Sequence, residues 1–220
     1  GYETWFRLGD RDLATCLHRT RLLREGLPLS RITAQIAAAF GLECQIVPVT
    51  DDPVRTKLQT SEGLLDFQEY FARYRAEVPL QGVLYQGAEA SRPAPRVLEA
   101  IARARAIIVA PSNPVLSIGP ILAVRGIRQA LRDTPAKVAA VSPIVGGGTL
   151  KGPADRVLRE LGHEVSPVGV ARLYADFLDV MVLDERDAGL RPQVEALGLE
   201  AVVTDTIMSS PERKAALARR

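Results

Sequence analysis

Cysteine is nearly absent: 220 residues hold only Cys16 and Cys44, with no CxxC spacing. That excludes a disulfide framework and a zinc ribbon and suits a reducing compartment. An excess of charge of one sign is lacking too. Lys and Arg number 28 against 26 Asp and Glu, a net of +2, so neither a general nucleic-acid surface nor an anionic-membrane binder is indicated, and any anion must be held locally. No apolar run approaches the roughly 20 residues of a membrane-spanning helix. Aromatics make up 5%, and the two histidines, His18 and His163, have no partner at ligand spacing. No Ser/His/Asp or Cys/His signature for covalent catalysis is present, and no GxGxxG. The chain starts at Gly1 with neither a basic n-region nor an apolar h-region, so no signal peptide is visible and the start reads as a cut through a longer chain. What is present, 47% hydrophobic and 25% charged residues, is ordinary globular composition with enough apolar mass for one substantial core. A cytoplasmic protein is the expectation.

Patterning predicts a helical N-terminal portion over about 1–80 and a strand–loop–helix portion over about 81–220, together one α/β domain. Residues 10–24 suit a helix stopped by Gly26, and Ser30 is a candidate N-cap for a second helix over 31–40. Residues 44–49 read as a strand closed by the turn Thr50-Asp51-Asp52-Pro53. Leu64, Leu65, Phe67, Tyr70, Phe71 and Tyr74 recur at helical spacings over 62–75, which places the aromatics in a core. After a short strand at 83–85 and a helix at 95–104, the apolar run 106–110 reads as a strand buried on both faces of a parallel sheet. A helix over 121–132, a second strand at 137–141 and a helix at 155–161 repeat the plan. Strands at 177–183 and 201–203 and a Ser-Ser-Pro-capped helix over 211–220 complete it. Tandem units of this kind predict a doubly wound, mainly parallel Rossmann-like sheet with helices on both faces.

In such a sheet ligands bind outside the carboxyl ends of the strands, which selects the loops after residues 110 and 141. The first offers the hydroxyls of Ser112 and Ser117, the amide of Asn113 and backbone N–H groups near Gly119, all able to hold phosphate oxygens without net charge. Ser112 and Asn113 equally suit capping and turning the chain. The second loop runs from Ser142 through Gly146, Gly147 and Gly148 to Lys151. It is no Walker A motif, and its glycines suit a flexible tip as well as a phosphate cradle. Near the start, Trp5-Phe6-Arg7-Leu8-Gly9-Asp10-Arg11-Asp12 sets two aromatics among alternating charges. Arg7, Asp10 and Arg11 could meet a flat heterocycle, while Asp10 could simply cap a helix. Asp51 and Asp52 are candidates for a divalent cation or for a solvated turn.

Taken in order, Trp5 to Asp12 with Arg19-Thr20, then Thr50 to Val54, then Ala110 to Pro114 with Ser117 to Pro120, then Val141 to Ile144 with Lys151-Gly152-Pro153, and finally Phe177 to Val180 leading to Asp184, these segments resemble the 2-phospho-L-lactate transferase family, members that use phosphoenolpyruvate included. The resemblance runs from Trp5 to about Met208 and implies transfer of a phospholactyl or phosphoenolpyruvyl group from a guanosine diphosphate-linked donor to the deazaflavin Fo, with release of GMP, in coenzyme F-420 biosynthesis. It implies magnesium as cofactor, a homodimer, and no nucleic-acid or membrane partner. It also implies donor binding by Ser112, Asn113, Ser117 and Gly119 with Ser142, Gly146 and Gly147, and acceptor binding by Arg7, Asp10 and Arg11. The strand, glycine-rich loop and aspartate-bearing segment with which relatives begin are expected ahead of Gly1, together with the main metal ligands. Position 16 is Cys where many relatives are expected to have His. A non-catalytic nucleotide-sugar-binding regulator of the same fold is the rival, and the Trp5 to Asp12 block, suited to an acceptor, argues against it.

Overall fold

The computed structural model describes residues 7–219, so Trp5 and Phe6 of the aromatic block lie outside the described residues. The chain forms two compact units, one of residues 1–100 with 121–127 and one of residues 101–120 with 128–220.

In the first unit, α1 (Asp10–Arg24) has Asp10 and Asp12 in its first turn and Arg21 and Arg24 in its last, the arrangement that complements the helix dipole. Its N-cap is Gly9, with no side-chain cap, so Asp10 is the first helical residue and not the cap. Gly26, at φ 85°, ends the run. The next helix, α2 (Leu29–Ala39), starts from Pro28. Ser30 therefore sits inside the first turn, where its N–H and hydroxyl both donate to the Asp51 carboxylate, at 2.6 and 2.8 Å. The cap expected of Ser30 comes from a residue 21 positions away.

Residues 44–49, expected as a strand, carry no regular structure, and Ile46 and Val47 are exposed. The pairing in this unit is made by a less apolar stretch, β1 (Arg55–Thr60), which lies between β2 (Gly63–Asp66) and β3 (Leu80–Gln86) in an antiparallel sheet. In β1 only Leu58 and Thr60 are buried, an alternation with too few apolar residues to read as a strand. Lys57 and Asp66 face each other across β1 and β2 and pair at 2.8 Å. The helix expected over 62–75 is thus half strand. It becomes helical only near Phe67 and runs as a π-helical turn over Glu69–Arg73. Tyr70 is fully buried as expected, Phe67 and Phe71 stack at 5.7 Å, and Phe71 remains exposed. The N-terminal portion is therefore not simply helical, and β3 belongs with it. The helix α3 (Val97–Arg103) follows.

The second unit is built on four parallel strands in the order β4 (Ala106–Val109), β5 (Lys137–Val141), β8 (Val180–Asp184) and β9 (Glu200–Thr204). The α/β, parallel, helix-flanked architecture stands, with the strand order advancing in one direction. Between these strands come α4 (Gly119–Leu122) and α5 (Ile127–Asp133), then the hairpin β6 (Ile144–Val145) and β7 (Gly148–Thr149), then α6 (Ala154–Glu160), α7 (Pro167–Tyr174) and α8 (Arg191–Glu195). The terminal helix α9 (Pro211–Ala218) starts at a Ser210 cap whose hydroxyl accepts from Arg213 N–H, as the Ser-Ser-Pro string predicts. The helix expected over 121–132 is broken at Gly126, φ 86°.

Two expectations fail for reasons of position. β4 is the outer strand of the four, so it is not buried on both faces, and Ile108 is 71% exposed. Phe177 and Leu178 are buried, but in the turn ahead of β8 and not in the strand. α7, whose sequence alternates small and β-branched residues without a clear helical stripe, is among the most buried elements. The core is formed by Val138, Ala140, Met181 and Leu183 of the sheet with Val157, Leu158, Val168 and Val170 of α6 and α7. Asp176, just past α7, ties α5 down. It accepts from Arg128 Nε at 2.8 Å and Arg132 Nε at 2.6 Å, while Arg128 also donates to the Leu173 carbonyl and lies over the Phe177 ring at 5.3 Å.

Candidate functional site

Because the four strands are parallel, the loops after β4, β5, β8 and β9 all leave from one rim of the sheet. The β4 loop turns into a single π-helical turn, Pro114–Ile118, capped by Asn113: its Oδ1 accepts from Val115 N–H at 3.0 Å and Leu116 N–H at 2.9 Å. Ser117 N–H and Ile118 N–H donate to the Asn113 carbonyl, and Gly119 N–H to the Pro114 carbonyl. The backbone donors expected near Gly119 are thus engaged within the turn, and Gly119 has an ordinary helical φ of −51°. What remains for a ligand is side-chain chemistry: the hydroxyls of the half-buried Ser112 and Ser117, and Asn113 Nδ2, which the amide plane places opposite the capping oxygen.

The β5 loop is ordered by its own bonds. Ser142 is buried, and its hydroxyl accepts from Ile144 N–H at 3.1 Å and donates to the Ile144 carbonyl at 2.9 Å, so its role here is to turn the chain. Gly146 and Gly147, at φ 59° and 79°, form the two-residue tip joining β6 to β7, the geometry of a type I′ hairpin that demands glycine-like freedom. The tip is not loose. Gly146 N–H donates to the carboxylate of buried Asp187 at 2.9 Å, which fastens the β5 loop to the β8 loop.

Sequence analysis reaches Asp184 only as the last point of the family resemblance and gives 185–187 no role, yet three of these side chains organise the rim. Asp184 is buried and accepts from Thr206 N–H and hydroxyl, both at 3.0 Å, and from Arg186 N–H at 3.1 Å, joining the β8 and β9 loops. Burial pushes its carboxyl up, but the hydrogen bonds from Thr206 and Arg186 outweigh that and hold it below the usual range. Arg186 is exposed, passes beside Gly146 and comes no nearer than 4.0 Å to Asp184, leaving a cation on the rim. An acid directly after a buried parallel strand was the available signal.

In the first unit, Arg7, Asp10 and Arg11 are all exposed at and just before the start of α1. Asp51 and Asp52 are adjacent but diverge: Asp51 caps α2 with both oxygens, and Asp52 Oδ2 accepts from Arg92 N–H at 2.8 Å. Among the described residues no three His, Cys, Asp or Glu gather as a metal site. The Asp51–Asp52 pair does not fit a magnesium ion, since both Asp51 oxygens and Asp52 Oδ2 already accept hydrogen bonds, from Ser30 N–H, the Ser30 hydroxyl and Arg92 N–H, and the two side chains diverge. No helix among the described residues is long and apolar enough to cross a membrane.

Comparison with known proteins gives a consistent answer. The family described as "2-phospho-L-lactate transferase CofD" matches residues 2–218. The 2-phospho-L-lactate transferase of Methanosarcina mazei is 42% identical over 218 residues, covering 99% of this chain and 71% of that protein. The phosphoenolpyruvate transferase of Streptomyces griseus is 42% identical over 221 residues, covering 98% and 70%. A crystal structure of a UPF0052 family member from Bacillus halodurans superimposes with a TM-score of 0.63 at 13% identity, over 92% of this chain and 69% of that one, a likeness of fold alone. With a parallel sheet whose rim presents Ser112, Asn113 and Ser117, and with relatives that agree on the chemistry in their names, this chain belongs to the 2-phospho-L-lactate transferase family and is a transferase.

Proposed function

We propose that this transferase moves a phospholactyl or phosphoenolpyruvyl group from a guanosine diphosphate-linked donor to the ribityl hydroxyl of the deazaflavin Fo, releasing GMP, as a step of coenzyme F-420 assembly. In the reaction the acceptor oxygen forms a new bond to phosphorus as the bond from phosphorus to the GMP oxygen breaks, and the hydroxyl proton is released. Such a transfer needs alignment and neutralised oxygen charge, not a protein nucleophile, in keeping with the lack of a nucleophile–base pair in the sequence. Ser112, Asn113 and Ser117 hold the donor, with Arg186 as the rim's positive charge and the Gly146–Gly147 tip as its wall. Arg7, Asp10 and Arg11 hold Fo. Magnesium supplies charge neutralisation when bound, through ligands other than Asp51 and Asp52. The protein works as a cytoplasmic homodimer on small molecules.

The observation that carries the donor reading is the Asn113 amide, whose oxygen is fixed by the cap so that its nitrogen end is held in one orientation. The two named relatives are equally similar at 42%, so identity does not choose the three-carbon acid and both donors belong in the assay. Incubation with Fo, magnesium and either donor should release GMP and yield a new deazaflavin species on chromatography. No new species with either donor would overturn the proposal.

A further inference from the structure

In the first unit a cleft of about 510 Å³ opens beside the β1–β2 turn, lined by Ser61, Glu62, Arg73, Tyr74, Arg75 and Glu77. Two rare backbone features meet at its wall. The π-helical turn Glu69–Arg73 is a geometry found disproportionately at functional sites. Directly after it, Arg75 and Ala76 are consecutive non-glycine residues in the left-handed region, at φ 51° and 55°. Glycine occupies that region without the steric cost, so a side chain kept there calls for a reason.

Ala76 has a local one. It is buried, its N–H donates to the Tyr70 carbonyl at 2.9 Å, and its own carbonyl accepts from the Tyr70 hydroxyl at 3.4 Å, which closes the end of the helical turn. Arg75 stands just past the Tyr74 C-cap, where a left-handed residue turns the chain so that Ala76 N–H can reach the Tyr70 carbonyl, but its side chain has no part in that: it is exposed, and its guanidinium enters no hydrogen bond or ion pair among the described residues. Its neighbour Arg73 is differently employed, bonded to Glu69 at 3.1 Å and lying 5.8 Å from the Tyr74 ring centroid. The cleft therefore offers one uncommitted cation, a hydroxyl from Ser61 and the carboxylate of Glu62, while Glu77 is already engaged in the fold. That set disfavours a ligand with several anionic groups and fits a single oxyanion, best on a molecule that also carries hydrogen-bond donors.

We propose that this cleft is a ligand site in which Arg75 binds the phosphate or carboxylate of a small hydroxylated metabolite. The inference does not depend on the transferase assignment. Its test exploits opposite signs. Arg75→Gly relieves the left-handed backbone and should raise the melting temperature by about 2–4 °C, while weakening ligand binding at least about tenfold, a loss of 1.4 kcal/mol or more. Titrations followed by the amide shifts of residues 61 and 74 would use inorganic phosphate, glycerol phosphate and lactate, the last two distinguishing a phosphate from a carboxylate source. Arg75→Asn, which tolerates the backbone and lacks the charge, should behave like Arg75→Gly, and Arg75→Lys should keep most of the affinity. Wild-type affinity in Arg75→Gly, or no response of the wild type to any of the three probes at millimolar concentration, overturns the proposal.

Discussion

Both capping bonds of Asn113 end on its Oδ1, and this splits the residue into a structural half and a chemical half. Asn113→Ala removes the cap and should lower stability by about 1 kcal/mol. Asn113→Asp keeps an acceptor for Val115 and Leu116 N–H but replaces the Nδ2 donor with negative charge. Beside a phosphate oxygen about 4 Å away, at an effective dielectric near 20, that repulsion amounts to roughly 4 kcal/mol, about a thousandfold in affinity. Calorimetry with the guanosine diphosphate-linked donor should therefore find binding abolished in Asn113→Asp at an almost unchanged melting temperature. Undiminished binding would leave Asn113 as a cap and nothing more. Sequence could name this residue but not apportion its atoms, since Asn before Pro serves a turn and a ligand equally well. Ser142 illustrates the converse: a hydroxyl beside glycines looked available, and in the structure it is buried and bonded twice to Ile144 within its own turn.

Between elements, the Asp176 staple and the start of α7 carry distinct stability predictions. The hydrogen bond from Arg128 above all, opposed by partial burial and reinforced by Arg132, lowers the Asp176 carboxyl from 3.8 to about 2. Because the folded value is the depressed one, the staple contributes in full above pH 3.8 and is lost as the pH falls toward 2. Allowing for screening of a side chain 29% exposed, the contribution is about 1–2 kcal/mol. Denaturant unfolding between pH 6 and pH 2 should show Asp176→Asn less stable near neutrality and flatter across the acid limb, and parallel curves would count against the staple. At α7, a β-carbon on Gly169 would lie 2.0 Å from the Glu164 carbonyl oxygen, a clash with backbone that no rotamer relieves. Gly169→Ala should cost more than about 4 kcal/mol or abolish folding, the exceptional class of single substitution. Expression with a normal melting temperature would mean the α7 entry can shift.

At the scale of the whole chain, legibility followed apolar density. β5 was readable to the residue and β4 and β9 to within one, because each spells a mainly apolar run rich in β-branched residues, even though β4 and β9 lie at the edges of the sheet and are not buried on both sides. The small antiparallel sheet was not, since β1 spells Arg-Thr-Lys-Leu-Gln-Thr and declares itself only through partners that sequence does not display. The apolar run at 44–49 misled for the same reason in reverse, having composition without a partner. The rim was predictable from the parallel topology, but the ties from Asp187 to Gly146 and from Asp184 to Thr206 connect loops 41 and 22 residues apart, beyond any local pattern.

β4 carries a last consequence, in colloidal terms. It has no strand on its outer side among the described residues, and Ile108 stands 71% exposed along it. An open rail of backbone donors and acceptors bearing an isoleucine is a template for any extended chain in solution. With a net charge of only +2 the protein has little long-range repulsion to keep such templates apart. Concentration, more than ionic strength, therefore governs how readily such edges meet, since there is little net repulsion for salt to screen.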